Sequence, residues 1–393
     1  MDARIGILDP RMAGDDSTYL CPDPRGLRPG NRVHLLEDGA RAYPRMLEAV
    51  ARAERSVYLE TYIFADDSVG QRFAKALAAR ARDGLEVRVL YDAVGSQETP
   101  RDFFGWMRSQ GVRVVEFNPI PRLLFGFRFR RRNHRKLLTV DGRVAFLGGM
   151  NISREYAPPG EGGLGWRDTQ VEIKGPVVTD LLRTAQEVWC RQARCAKLPP
   201  PAADILPPQE RGIPARVLSS HRFKSRWEIG RHYRWALRHA RERVWIANPY
   251  FLPSGRFQRD LRRAARRGAD VRLLVPSRSD VPPALLATRH LFTRLLKWGV
   301  RIFEWPGPMM HAKTAVIDGA WVTVGSYNID HLSLVHNFEL TSILLDRGFG
   351  AEVEAMFERD FARSGEVKAD AWKGRGWTRK LLEGLAYELR FFF

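Results

Sequence analysis

Two stretches of this sequence carry the same reactive side chains at the same spacing. The first is His134-Arg-Lys136-Leu-Leu-Thr-Val-Asp141, followed by Gly148-Gly149-Met150-Asn151. The second is His311-Ala-Lys313-Thr-Ala-Val-Ile-Asp318, followed by Gly325-Ser326-Tyr327-Asn328. Each reads H-x-K-x4-D and then a small pair and an asparagine, and the two copies lie close to half a chain length apart. Two imidazoles and two ammonium groups brought to one pocket suit a phosphodiester. Lysines neutralise phosphate oxygens and the charge that grows on them in the transition state. One imidazole can attack phosphorus while the other protonates the leaving alkoxide. His134 is read as the nucleophile and His311 as the acid. Asp141 and Asp318 are placed to orient a histidine, with the partner left open, and Asn151 and Asn328 to hold phosphoryl oxygens. Because the lysines supply the electrostatics, no metal or other cofactor is expected.

Regular elements have to hold these groups. Leu137–Val140 and Ala315–Ile317 are short, apolar, partly β-branched runs that end at Asp-Gly turn signals. Residues two apart on a strand share a face, so His134 points with Lys136 and His311 with Lys313. A second apolar run follows each turn (Val144–Leu147; Trp321–Val324), so each motif reads as a hairpin. Around them the chain alternates strands and helices. In the first half, helices are expected at Tyr43–Ala53, Gly70–Arg82, Arg101–Gln110 and Pro176–Cys190. Strands are expected at Ser56–Phe64, Glu86–Tyr91, Val112–Phe117 and Gln170–Ile173. The second half repeats this order, with Gly268 and Gly299 ending helices as Gly84 and Gly111 do. The expected fold is α/β: two similar lobes, each a mostly parallel or mixed sheet flanked by helices, related by a pseudo-twofold axis. The segmentation is an irregular N-terminal arm (1–29), a first lobe (30–205), a second lobe (206–365) and a tail (366–393). The Pro-rich stretch 198–208 reads as a stiff linker.

Asp168, in Trp166-Arg-Asp-Thr-Gln, and Glu339, in His336-Asn-Phe-Glu-Leu, precede corresponding strands. They form one aligned pair of acids, each a candidate to hold a histidine. The paired motifs resemble those of the phospholipase D superfamily, from about residue 30 to about residue 345. Asn31–Ala40 with Tyr43-Pro44 resembles the start of bacterial cardiolipin synthases of the shorter type, which lack N-terminal membrane helices. The resemblance implies a covalent phosphohistidine, phosphatidyl transfer between lipids, and acids at these two positions serving the histidines. Gly160-Glu-Gly-Gly-Leu-Gly165 matches a dinucleotide fingerprint in letters only. It opens no helix, and it reads as a loop over the pocket.

The balance of charge is +19 with a sequence pI near 10.4, which calls for an anionic partner. Seven basic residues and no acid lie between Arg122 and Lys136, interleaved with aromatics. Such a stretch suits a lipid surface or stacked bases; its place beside the motif and the nature of the tail favour lipid. The C-terminal Trp372–Phe393 is basic, then amphipathic, then aromatic, with Leu381, Leu382, Leu385 and Leu389 at helical spacing. It reads either as a helix docked on the body or as a membrane anchor. Arg259, Arg262, Arg263, Arg266 and Arg267 form a basic stripe. No signal pattern and no run long and apolar enough to span a bilayer are present. Cys21, Cys190 and Cys195 are too sparse for a disulfide framework and suit a reducing compartment.

The resemblance implies a cardiolipin-forming phosphatidyltransferase acting on phosphatidylglycerol, expected to be peripheral to the cytoplasmic face of the cell membrane. A phospholipid hydrolase using water in place of the second lipid is the alternative. A nuclease is a more distant one, with nucleic acid not expected as partner. Oligomeric state is left open.

Overall fold

Short β-branched runs alternating with Ala- and Arg-rich amphipathic segments build the same succession of elements twice. The computed structural model describes residues 16–119, 131–193 and 208–392. The first lobe runs β1 (Arg28–Glu37), α1 (Asp38–Ala51), β2 (Ser56–Thr61), α2 (Ser68–Arg82), β3 (Glu86–Asp92) and α3 (Arg101–Ser109). It continues with β4 (Arg113–Phe117), β5 (Leu137–Val140), β6 (Val144–Gly148), β7 (Thr169–Lys174) and α4 (Val177–Ala193). The second lobe answers with β8 (Ile213–Ser219), α5 (Glu228–His239), β9 (Arg243–Ala247), α6 (Gly255–Arg266), β10 (Asp270–Pro276) and α7 (Pro282–Lys297). Then come β11 (Arg301–Trp305), β12 (Thr314–Ile317), β13 (Trp321–Gly325), a short α8 (His331–Val335), β14 (Leu340–Leu345) and α9 (Arg347–Arg363). A two-residue β15 (Gly365–Glu366) and helices α10 (Ala369–Lys373) and α11 (Trp377–Glu388) complete the chain.

Within each lobe three strands are parallel (β2-β3-β4; β9-β10-β11), and the motif hairpin pairs antiparallel to the first of them. The expected α/β lobes are therefore present, each with a mixed sheet. What joins them is β1, which pairs antiparallel with β7 of its own lobe and with β8 of the other, so that one sheet of 15 strands crosses the molecule. Each lobe has an apolar core under its outer helices. A third core is shared: α4 (Leu181, Val188, Trp189) and α9 (Val353, Phe357) pack with strand residues of both lobes. Burial on this scale, at roughly 25 cal/mol per Å² of apolar surface, holds the two half-sites in one rigid relation.

The structure refines several expectations. Residues 16–27 of the irregular N-terminal arm form two short 3-10 turns packed on the body. Leu20, Cys21 and Leu27 are buried in the second lobe's core, and the Tyr19 hydroxyl donates to Asp318 at 2.6 Å. Helix α7 begins at Pro282, because proline is tolerated in a helix's first turn, where its missing N–H is not needed. The tail, by contrast, takes the docked-helix form, one of its two expected alternatives. Trp372 packs on Phe292 and Tyr387 stacks on His290, both from α7. The linker, the boundary near 205, Cys195 and most of the basic-aromatic run before Arg131 lie outside the described residues. Among the described residues no helix is long and apolar enough to cross a membrane.

Candidate active site

Each H-x-K segment enters its hairpin alongside the other lobe. The His134 N–H donates to the Phe338 carbonyl at 3.0 Å, and the Phe338 N–H donates to the Arg132 carbonyl at 2.8 Å. The corresponding pair is the His311 N–H to the Arg167 carbonyl at 2.7 Å and the Arg167 N–H to the Met309 carbonyl at 2.8 Å. Asn133 bridges Phe338 and Arg167 bridges Met310 in parallel fashion. These bridges place the acid after Phe338 beside His134, and the acid after Arg167 beside His311.

The histidines are held across the lobe boundary. Nδ1 of His134 lies 3.1 and 3.2 Å from the two carboxylate oxygens of Glu339. Nδ1 of His311 lies 2.9 Å from Asp168 Oδ2. With Nδ1–H engaged by a carboxylate, the neutral ring of His134 keeps Nε2 free. Glu339 is itself fixed by Ser326 Oγ and by Ser333 Oγ, the latter at 2.7 Å. The Tyr156 hydroxyl reaches His311 Nδ1 at 3.1 Å and accepts from Asn151 Nδ2 at 3.0 Å. The small pair has a packing reason. A Cβ on Gly149 would sit 2.3 Å from Asp168 Oδ1, so the first lobe needs glycine there, whereas Ser326 uses its hydroxyl to hold Glu339.

Lys136 and Lys313 lie buried beside the histidines. Lys136 Nζ donates to the His134 carbonyl at 2.7 Å, and Lys313 Nζ stands 2.9 Å from each ring nitrogen of His311. Burial, and then the charge of Lys313, lower Lys136 to about 7, and burial lowers Lys313 to about 8. Burial also pushes both imidazoles below their ordinary value, with Lys136 acting the same way on His134 and Lys313 on His311. Asp168 is raised to about 6 by burial, against the opposing pull of Lys313. Such displaced proton affinities, in a cleft with matched partners, mark a reactive site.

His134, His311, Asn151 and Asn328 line a single cavity of about 620 Å³. Asn328 Oδ1 is buried and has no protein partner. Asp141 and Asp318 are not in this cavity, which corrects the expectation that they orient histidines. Asp141 sits in the hairpin turn at φ 55° and accepts from the backbone N–H groups of Glu54, Arg55 and Ser56 at 2.8–3.0 Å. Asp318, at φ 50°, does the same for Arg241, Glu242 and Arg243 at 2.8–2.9 Å. Each lies at the far end of a strand rising about 3.3 Å per residue, so it ties the hairpin to the neighbouring parallel strand and cannot touch a ring.

Other groups of the cavity went unread in the sequence. Tyr62, Tyr156, Trp166 and Tyr250 ring the histidines at 5.2–6.3 Å between centroids. Asp280 lines the cavity and accepts from the Tyr250 hydroxyl at 2.7 Å. In the sequence Arg132 is one charge of a basic run. It is buried, pairs with Asp92 at 3.2 Å, and turns an unpartnered Nη1 inward, while Arg135 is spent on buried Glu60. No periodicity announces these residues, because loops from both lobes bring them together.

A family profile described as "Cardiolipin synthase, PLD-like domain" matches residues 46–182 and 233–361. Cardiolipin synthase A of Pseudomonas aeruginosa PAO1 is 37% identical over 336 residues, which span 85% of this chain and 68% of that protein. Cardiolipin synthase B of Escherichia coli K12 is 37% identical over 339 residues, spanning 82% and 78%. The crystal structure of phosphatidylserine synthase from Haemophilus influenzae superposes with a TM-score of 0.70, covering 94% of this chain and 98% of that one. At 13% identity it shares the fold.

Proposed function

The chain belongs to the cardiolipin synthase family of phospholipase D-like proteins and is a phosphatidyltransferase, and we propose that it joins two phosphatidylglycerol molecules into cardiolipin and glycerol through a phosphohistidine. The observation that carries the residue assignment is the crossed pair of histidine–carboxylate contacts, His134 with Glu339 and His311 with Asp168, facing one cavity.

In the first half-reaction Nε2 of His134 attacks phosphorus while Glu339 holds the opposite ring nitrogen. The P–O bond to glycerol breaks as P–N forms, and His311, whose protonated form is favoured by Asp168 and by the negative charge of the bound phosphodiester, gives its proton to the departing oxygen. In the second, neutral His311 takes the proton from the free hydroxyl of another phosphatidylglycerol. That oxygen displaces His134 from phosphorus, and the histidine is regenerated. Lys136, Lys313, Asn151, Asn328 and Nη1 of Arg132 hold the phosphoryl oxygens as charge gathers on them. His134 is assigned as the nucleophile because, among the described residues, no lysine stands against its ring nitrogens, whereas Lys313 crowds both of those of His311. Water in place of the second lipid would give phosphatidate.

The membrane contact is peripheral. It draws on the excess of positive charge and on the exposed leucines of α11. The sparse cysteines, with the Cys21 thiol free, suit the reducing side of the cell membrane, its cytoplasmic face. The test is purified protein with labelled phosphatidylglycerol in vesicles. Cardiolipin and glycerol appear in equal amounts, and a phosphorylated peptide containing His134 is trapped. Phosphatidate without cardiolipin would make the protein a hydrolase, and cleavage of single-stranded DNA without lipid turnover would sink the reading.

A further inference from the structure

Helix α11 is mounted in reverse. An amphipathic helix that merely covers a protein turns its leucines inward and its charges to water. Here Trp377, Leu381, Leu385 and Leu389 recur every fourth residue on one face, with Leu382 beside them, and all are 53–74% exposed. The face toward α7 carries Glu383 and Ala386 instead, both buried. Glu383 is paired with Arg375 at 3.0 Å and Arg379 at 3.4 Å, and Tyr387 stacks on His290. A buried carboxylate matched by two guanidiniums fixes the rotation of the helix, and with it the outward direction of the leucines.

The apolar surface does not stop at α11. Phe391 and Phe392 follow, half and two-thirds exposed, and Phe392 lines the catalytic cavity. Leu164, from the first lobe, is exposed and lines the same cavity. Phe391 meets His331 of α8 edge-on. Leu332 of α8 faces the catalytic cavity, and Leu334 faces a second cavity of about 780 Å³ that also has Trp227, Arg231, Arg256 and Arg259 in its wall. Trp227 closes the turn that begins at Arg222, where Phe223 is 71% exposed. The Arg226 guanidinium lies 4.0 and 4.9 Å from the Phe223 and Trp227 ring centroids. Leucines, aromatic rings and unburied arginines thus lie along the tail, at the cavity mouth and at this turn.

We propose that this surface, α11 with Phe391–Phe392 and the Phe223–Trp227 turn, docks into an anionic bilayer leaflet and sets the catalytic mouth on the leaflet, so that lipid enters sideways. The proposal rests on the phospholipid reading of the site. Rings and leucines occupy the interface while arginines meet phosphates, the arrangement expected of an interfacial helix. The arginines lining the second cavity favour an anionic leaflet over a second copy of this basic chain.

Leu381→Glu/Leu385→Glu tests the tail, and Phe223→Ser/Trp227→Ser tests the turn. Neither pair belongs to the catalytic machinery. Sedimentation with vesicles of equal phosphatidylglycerol and phosphatidylcholine should weaken by roughly tenfold or more in each variant. Transfer on those vesicles should fall with it, and transfer on monomeric short-chain phosphatidylglycerol should stay at the parent rate, which also reports folding. If the double glutamate variant misfolds, Leu385→Ser replaces it with a smaller expected loss. Binding is also read in a His134→Ala background, so failure of the transferase reading leaves the docking result standing. Undiminished vesicle binding in the tail variants overturns the proposal. So does a parent dimer that the tail variants convert to monomer without loss of vesicle binding, which would assign the leucine face to self-association.

Discussion

His134 is oriented by Glu339, 205 residues further along the chain and in the other lobe, while His311 is oriented by Asp168, 143 residues before it. Neither lobe alone holds a complete histidine–carboxylate pair. The two halves are therefore joined by these contacts as well as by the β1–β8 seam, and the proposed transfer draws on both.

Glu339→Gln keeps the shape of the side chain but removes the charge that stabilises an imidazolium and selects the ring's tautomer. Transfer should fall roughly 10²- to 10⁴-fold, with vesicle binding unchanged. Measured kcat on labelled phosphatidylglycerol checks this, and a loss below tenfold would show that Glu339 is not the partner of His134.

Asp141→Ala or Asp318→Ala should act on folding. Each leaves three backbone N–H groups at the entry to β2 or β9 without their charged acceptor, a cost of about 1–3 kcal/mol. Urea unfolding should show the loss, while activity per folded molecule stays near that of the parent. A selective collapse of kcat with unchanged stability would return these acids to the catalytic set.

Gly149→Ala and Ser326→Gly separate two ways of holding an acid. The first drives a Cβ to within 2.3 Å of Asp168 Oδ1 and should displace it from His311, with transfer lost by about a hundredfold or more. The second removes only the hydroxyl that braces Glu339 and should cost about tenfold. Equal effects would mean that neither contact positions a ring.

The pH profile should be narrow. Activity rises as Asp168, raised to about 6, loses its proton and can orient His311. It falls as Lys136 and Lys313, lowered to about 7 and about 8, lose theirs and cease to bind phosphate. A bell-shaped kcat/KM with these limbs is expected, and Lys136→Arg should carry the alkaline limb upward.

Lys136→Met should abolish transfer yet stabilise the fold, by about 1–4 kcal/mol. The sign follows from linkage. The folded-state value of about 7 lies below the ordinary 10.5, so the penalty for the buried ammonium is complete below about pH 7 and fades as pH rises toward 10.5. Thermal unfolding of Lys136→Met against the parent should therefore differ most in acid and least in base.

The sequence by itself determined the reactive groups, the duplication and the strand–helix order, because these depend on local spacing. H-x-K puts two side chains on one strand face, and repeated Gly punctuation marks helix ends. It also aligned Asp168 with Glu339, but not which histidine each serves, and it set Asp141 and Asp318 beside the chemistry only because they are close in number. The tertiary structure alone decided the crossing of acids between lobes, the β1–β8 seam, the inward Nη1 of Arg132, and the ring of Tyr62, Tyr156, Trp166 and Tyr250. It also decided which face α11 turns outward. The physical reason is common to all of these. Each depends on which surfaces meet when two lobes bury a shared core, and contacts between residues far apart in the chain leave no period in the sequence that joins them.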